Sequence, residues 1–243
     1  MNELVANIRR NLEGCQENIR RAAEKSGRVV QDVRLVVVTK SQPVKVIEAA
    51  IDAGAQFLGE NYPEETLSKI AAIGHPASVE WHMIGHLQSR KAKIVADHFN
   101  FMQSLDSVDI ARKLNRLLIE QNKTLPVLLE INVGGEESKF GWRWESPQDT
   151  DTLISEVAQI VECSNLQVKG LMTMPPIFED ANRVRPCFQK LRKLSEYLAM
   201  AFRDVEWGHL SMGTSSDYEI AVEEGATIVR IGTAIVGARL RKE

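Results

Sequence analysis

The chain has 243 residues, 44% of them hydrophobic, and carries 30 Lys+Arg against 33 Asp+Glu for a net charge of −3. That length suits one large domain or two small ones, and so even a charge balance gives no reason to expect a nucleic-acid or membrane surface. No apolar run approaches the roughly 20 residues that span a bilayer, and the mixed-charge opening "MNELVANIRRNLEG" is neither a secretory nor a mitochondrial leader, so the cytoplasm is the expected location.

In chain order, the first predicted element is an amphipathic helix within residues 1–27, with Leu4, Ile8, Leu12, Cys15, Ile19 and Ala22 as its apolar stripe. Apolar, β-branched runs then predict strands over 34–40, 57–61, 80–86, 101–106, 127–133, 168–174, 209–213 and 227–236. Helical patterns lie between them, over 44–53, 64–72, 89–96, 108–121, 150–162, 182–202 and 218–224. Ser107, Asp149 and Asp217 sit at plausible N-cap positions, and Pro43, Pro63 and Pro147 near helix starts. Eight strands alternating with helices are the signature of a (β/α)8 barrel, whose usual length is about 250 residues. An open doubly wound sheet is disfavoured by that count and by the lack of a GxGxxG turn after the first strand. Eight units use the whole chain, so residues 1–243 are expected to form one domain. Only "ARLRKE" follows the last strand, so the N-terminal helix is expected to cover the barrel where an eighth helix would lie.

Cys15, Cys163 and Cys187 are few and widely spaced, and no Cys/His cluster accompanies them. His82 and His86 fall in "EWHMIGH", a strand pattern in which a four-residue spacing makes no helical metal face, so no metal site is expected. The polar residues gather elsewhere. In a barrel, chemistry sits at the carboxyl ends of the strands. There the sequence places Lys40, then Glu60 and Asn61, His86 and Gln88, Ser104 and Asp106, and Glu130 and Asn132. "LMTMPP", "HLSMGTSSD" and "VRIGTAIVG" end the last three strands, and "GGEESKFGWRWESPQD" is an expected active-site loop after the fifth.

Lys40 ends "VRLVVVTK" and shares a strand face with Val36 and Val38. Facing the barrel interior, it becomes a desolvated amine suited to Schiff-base formation. The competing readings are a lysine that reaches water or one that pairs with Glu60. Arg230, inside "TIVRIGTAIVG", shares a face with Ile228 and Gly232, and closure of the barrel brings the eighth strand beside the first. Two cations at one pocket suggest an anionic ligand, against the plainer reading of a structural ion pair with Glu60 or Glu130. Glycines and hydroxyls in "SMGTSS" and "IGTAIVG" make an anion cradle at strands seven and eight, a recurrent place for phosphate in this fold. Lysine, arginine and cradle together fit pyridoxal 5′-phosphate. A Schiff-base aldolase acting on a phosphorylated sugar, with Glu60 or Asp106 as its acid–base residue, fits the same residues less well.

The motifs "VVTKSQP", "FLGENYPEE", "EWHMIGHLQSRK", "SLDSVD", "EINVGGEESKFG", "GLMTMPP" and "LSMGTSSDYEIAVEEGATIVRIGTAIVG" run in order along nearly the whole chain. Together they resemble the YggS/PROSC family of pyridoxal-phosphate-binding homeostasis proteins. The resemblance implies a barrel like the N-terminal domain of alanine racemase, with the cofactor on Lys40. It places Asn61 near the ring, Ser211 and Met212 beside the phosphate, Gly232 and Thr233 as donors to it, and Arg230 on the ring nitrogen. Pro63 after "GENY" and the tryptophans of "FGWRWESPQD" depart from the family pattern. An arginine is a donor only, so it favours an unprotonated ring nitrogen and a weak electron sink. Eight βα units are expected to use the whole chain, leaving no room for the second domain that completes a racemase. The expectation is therefore a cytoplasmic, monomeric carrier in vitamin B6 and amino-acid/keto-acid homeostasis, handing cofactor to apo-enzymes without strong catalysis of its own. The alternative is a pyridoxal-phosphate-dependent amino-acid racemase or a related enzyme.

Overall fold

The computed structural model describes residues 3–74, 76–136, 139–144, 149–176, 178 and 181–238. Helix α1 (Glu3–Lys25) opens the chain. Strands β1 (Arg34–Val38), β2 (Phe57–Glu60), β3 (Glu80–Met83) and β4 (Phe101–Leu105) follow, separated by α2 (Val44–Asp52), α3 (Pro63–Ile73) and α4 (Ala92–His98). Then come α5 (Val108–Glu120), β5 (Leu125–Asn132), a two-residue β6 (Trp142–Arg143), α6 (Thr150–Val161), β7 (Leu166–Met172) and α7 (Arg185–Ala201). The chain continues through β8 (His209–Ser211), α8 (Tyr218–Glu223), β9 (Ile228–Ile231) and α9 (Thr233–Val236). All pairings are parallel. β1 pairs with β9 and β4 with β5, so eight strands close into a barrel, and β6 is an appendage on β5.

Alternation along the strands divides the apolar side chains into two layers. Val36, Phe101, Leu128, Met172 and Ile228 fill the barrel interior, whereas Val37, Leu58, Leu129 and Ile231 face the helices in the larger outer core. α1 buries Val5, Ile8, Leu12, Cys15, Ile19, Ala22 and Ala23, and packs on α2, α8 and α9. Its polar side chains fasten the contact: Asn11 Nδ2 donates to the Ile235 carbonyl at 3.0 Å and Asn18 Nδ2 to the Tyr218 hydroxyl at 2.9 Å. This is the gap that an eighth helix would otherwise fill.

Each barrel strand stops one residue or more before the end of its predicted run, because the last residues turn into the loops of the barrel top. The largest departure is at the end of the chain. Only Ile228–Ile231 pairs as a strand, and Thr233–Val236 is a turn of helix. Gly232, at φ −111° and ψ −85°, breaks the ladder. Ile235 is then buried in the outer core, and tertiary packing overrides the β-branched propensity. The predicted helix 89–96 begins with a 3-10 turn at Ser89–Lys91, and 182–202 with one at Ala181–Val184. Ser107 caps α5 by accepting from Ile110 N at 3.4 Å, and Pro63 occupies the first turn of α3. Pro43 takes the extended N-cap position of α2. Asp149 is already helical and makes no capping bond, while the Asp217 carboxylate turns back to accept from Thr214 N at 2.5 Å. Pro147 lies outside the described residues. Cys15, Cys163 and Cys187 are free thiols. Among the described residues no group of three His, Cys, Asp or Glu is placed to hold a metal, and no helix is long and apolar enough to cross a membrane.

Candidate functional site

Lys40 sits in the turn that follows β1, between two backbone anchors. On one side, Thr39 N donates to the Gly59 carbonyl at 3.0 Å and Thr39 Oγ1 to Glu60 Oε1 at 2.7 Å. On the other, Ser41 takes the left-handed conformation (φ 59°) and its N–H donates to Glu65 Oε1 at 2.9 Å. Lys69, buried beneath, bonds Glu60, Glu65 and the Thr39 carbonyl at 2.7, 2.7 and 2.9 Å. Glu60 therefore belongs to Lys69. Burial pushes its carboxyl up, with Lys69 opposing.

The turn opens on a cavity of about 320 Å³ at the carboxyl ends of the strands. Lys40, Asn61, Arg230, Gly232 and Thr233 line it, with Thr214, Ser215 and Ser216 from the loop after β8. Among the described residues its lining holds two cations and no carboxylate. Arg230 is 3% exposed. It donates to Ser211 Oγ, to the Thr173 carbonyl at 2.8 Å and to Met174 Sδ at 2.9 Å. No carboxylate pairs with it among the described residues. Burial lowers its pKa to about 10, so it stays charged at neutral pH. Ser215 Oγ accepts from Gly232 N at 3.3 Å and Ala234 N at 3.4 Å, binding the last two strand ends together. A Cβ at Gly232 would lie 3.3 Å from both Val38 Cβ and the Val38 carbonyl, so the backbone here passes close to β1. Asn61 Oδ1 is buried with no hydrogen-bond partner among the described residues, an unmet polar atom on the cavity wall.

Ser211 and Met212 are not on that lining. The Ser211 hydroxyl is fully buried between Arg230 and Gln103, and Met212 packs in the outer core with its N–H on the Ile228 carbonyl. The strand ends before the loop reaches the cavity, and Thr214–Ser216, later in the same "SMGTSS", hold the place expected of them. Gln103 and His82 were given no role by the sequence. A glutamine inside "FMQSLD" carries no signal of facing the barrel axis.

A second cavity of about 470 Å³ adjoins the first and shares Asn61, Ile84 and Met174 with it. Lys139 and Phe140 of the expected active-site loop line it, with Glu130 and His86. Phe140 stacks on the His86 ring at 3.7 Å, and His86 Nδ1 meets Asp106 Oδ2 at 2.5 Å. Burial, then the nearby Asp106 charge, push the Glu130 carboxyl up to about 7.

A parallel barrel with a lysine turn, a buried arginine and a hydroxyl–glycine cradle over one cavity defines a protein of the alanine racemase N-terminal class, and the family model "Alanine racemase, N-terminal domain" matches residues 11–240. An alanine racemase of Clostridium difficile superposes with a TM-score of 0.68 at 15% identity, covering 95% of this chain but 56% of the racemase, which shows the shared fold. The curated relatives are more similar. Pyridoxal phosphate homeostasis proteins of Aquifex aeolicus and Vibrio alginolyticus are 40% and 38% identical, over 92% and 97% of this chain and 94% and 99% of their own lengths. The chain belongs to the pyridoxal phosphate homeostasis protein family. PipY of Synechococcus elongatus, solved with pyridoxal phosphate bound, superposes with a TM-score of 0.78 at 31% identity, covering 90% of this chain and all of that one.

Proposed function

We propose that this protein binds pyridoxal 5′-phosphate through a Schiff base on Lys40 and serves vitamin B6 homeostasis. The observation that carries the reading is the composition of one cavity. An amine, a fixed guanidinium and a neutral cradle of hydroxyls and backbone N–H groups converge on it, a set suited to a phosphate dianion. Thr214, Ser215, Ser216, Gly232 and Thr233 would hold the phosphate, Arg230 the ring nitrogen, and Asn61 would offer its unmet oxygen to the ligand. Met174 and Ile84 supply apolar walls. When bound, the cofactor supplies an aldehyde that condenses reversibly with amines. The protein's residues bind and orient it, and the open neighbouring cavity lets an amine approach. Release to apo-enzymes follows from that reversibility, and the barrel acts as a single-domain monomer in the cytoplasm. The test is a titration of purified protein with pyridoxal phosphate, and with pyridoxal as a control, followed by absorbance. Saturable loading with the phosphate ester, and at least about tenfold weaker loading without the phosphate, is expected. A protein that takes up neither overturns the reading.

One observation favours the enzyme alternative. A carboxyl with a pKa of about 7 in the adjoining cavity can exchange a proton at neutral pH. An amino-acid racemase would wash deuterium from solvent into the α-position of an amino acid and lose that exchange in Glu130→Gln. A carrier shows no such turnover.

A further inference from the structure

A chain of buried polar side chains runs down the inside of the barrel from the cofactor cavity. Arg230, Ser211, Gln103 and His82 come from β9, β8, β4 and β3, and their exposures are 3%, 0%, 0% and 0%. Arginine is a donor only, so Ser211 Oγ must accept from Arg230 Nη1. The single Ser211 hydrogen then goes to Gln103 Oε1 at 2.6 Å. That choice orients the amide, and Gln103 Nε2 donates to His82 Nδ1 at 2.7 Å. With the amide reversed, Ser211 would accept from both neighbours and lose its own acceptor. The obligate donor at the top thus fixes the sense of every bond below it.

The bottom of the chain agrees. To accept at Nδ1, His82 must be neutral with its hydrogen on Nε2. Its ring is stacked on Phe101 at 5.1 Å and lies edge-on to Phe57 at 5.7 Å, and it is fully buried from the water that would solvate a cation. Burial, aided by the Arg34 charge, lowers its proton affinity, and Glu80 opposes. The charged or titratable groups that act on it come from three strands: Glu80 of β3, Arg34 of β1 and His209 of β8. Glu80 Oε2 is 3.5 Å from Nε2, which has no hydrogen-bond partner among the described residues. Phe101 and Gln103 are the groups that β4 contributes, and neither titrates.

We propose that Gln103 and His82 are positioning residues for Arg230: a one-directional hydrogen-bond chain through the barrel anchors the guanidinium of the cofactor cavity from the far end of the strands. The proposal rests on the cofactor reading above and extends it. Thr173 and Met174 hold the other guanidinium nitrogen, so the chain completes a two-sided clamp and leaves the rest of the guanidinium free to face the cavity. The chain satisfies Ser211, both ends of the Gln103 amide and His82 Nδ1 in turn, and cutting it at Gln103 leaves the Ser211 hydroxyl hydrogen and His82 Nδ1 unmet.

The first test needs no cofactor. In protein labelled with 15N-histidine, His82 is expected to be the neutral Nε2–H tautomer at pH 7, assigned by its loss in His82→Asn. Gln103→Glu puts a carboxylate where the amide nitrogen was. Ser211 keeps its acceptor in either protonation state; a carboxyl that burial keeps protonated donates to His82 Nδ1 as the amide did, and one that ionises requires an Nδ1–H on His82. The second test reads the cofactor cavity. Gln103→Leu is expected to bind pyridoxal phosphate about tenfold more weakly, the size of one unmet buried hydrogen bond, and to shift the pH profile of the bound absorption band. Gln103→Glu, which keeps the bond to Ser211, should stay within about threefold of wild type. A cationic or Nδ1–H His82 in wild type overturns the proposal, as does Gln103→Leu with wild-type affinity and pH profile. If Gln103→Leu does not fold, the wild-type tautomer and the affinity of Gln103→Glu still decide. Wild-type protein that takes up no pyridoxal phosphate sinks the cofactor reading, and the wild-type tautomer then judges the chain alone.

Discussion

Glu130 is the residue whose chemistry is most exposed to pH. Its folded pKa of about 7 stands above its ordinary value of 4.5, so the folded state holds the proton more tightly than the unfolded one. Stability from this group is complete below about 4.5 and is lost as pH rises through about 7. Glu130→Gln keeps the neutral form at all pH values. It should match wild type near pH 5 and exceed it near pH 8 by on the order of 2–3 kcal/mol, read by denaturant unfolding at both pH values. Gly85 offers a second residue-scale prediction. A Cβ there would meet Asn61 Cγ at 2.8 Å and Asn61 Cα at 2.9 Å, so Gly85→Ala should displace Asn61 and weaken pyridoxal phosphate loading in the same titration. At this scale the sequence was partly legible. Lys40 and Arg230 stand out because a charge in or at the end of an apolar run needs a reason, and both do fall on one cavity. Ser211 and Met212 lie just off the cavity lining, because where a strand stops and its loop begins is set by pairing with β9, which periodicity does not report. Gln103 and His82 are silent for a related reason: the inside of a barrel has polar places that only closure reveals.

Among the elements, α1 carries the clearest consequence. Its buried stripe covers the barrel beside α9, which is a single turn, so Ile8, 3% exposed, is a core residue despite its place near the N-terminus. Ile8→Ala should cost about 2–4 kcal/mol in unfolding free energy, with no direct effect on the cavity. β7 has a sharper constraint. Gly170 sits at φ 144°, and a Cβ would lie 1.9 Å from the His209 carbonyl oxygen, beside a register shift between β5 and β7. Gly170→Ala should therefore lower the melting temperature more than Ile8→Ala does, because backbone, not a side-chain end, must move. The strand and helix order was readable from apolar period alone, and the N-terminal helix from its stripe. The helical turn α9 was not, since "TAIV" continues the β-branched composition of β9 and only Gly232 and the burial of Ile235 bend it away.

For the whole molecule, the barrel explains why distant parts of the chain meet at one place. Lys40 and Arg230 are 190 positions apart, yet Val36 and Arg230 are register partners across β1 and β9. Closure turns eight separate strand ends into a single rim, and the family shared with the pyridoxal phosphate homeostasis proteins gives that rim its ligand class. The central claim is that Lys40 is the residue that takes the cofactor. The direct measurement is to load the protein with pyridoxal phosphate, reduce it with borohydride and map the adduct by peptide mass spectrometry. The account predicts one reduced phosphopyridoxyl group on Lys40 and its loss, with the absorption band, in Lys40→Ala. A stoichiometric adduct on any other lysine, or undiminished covalent loading of Lys40→Ala, would contradict it.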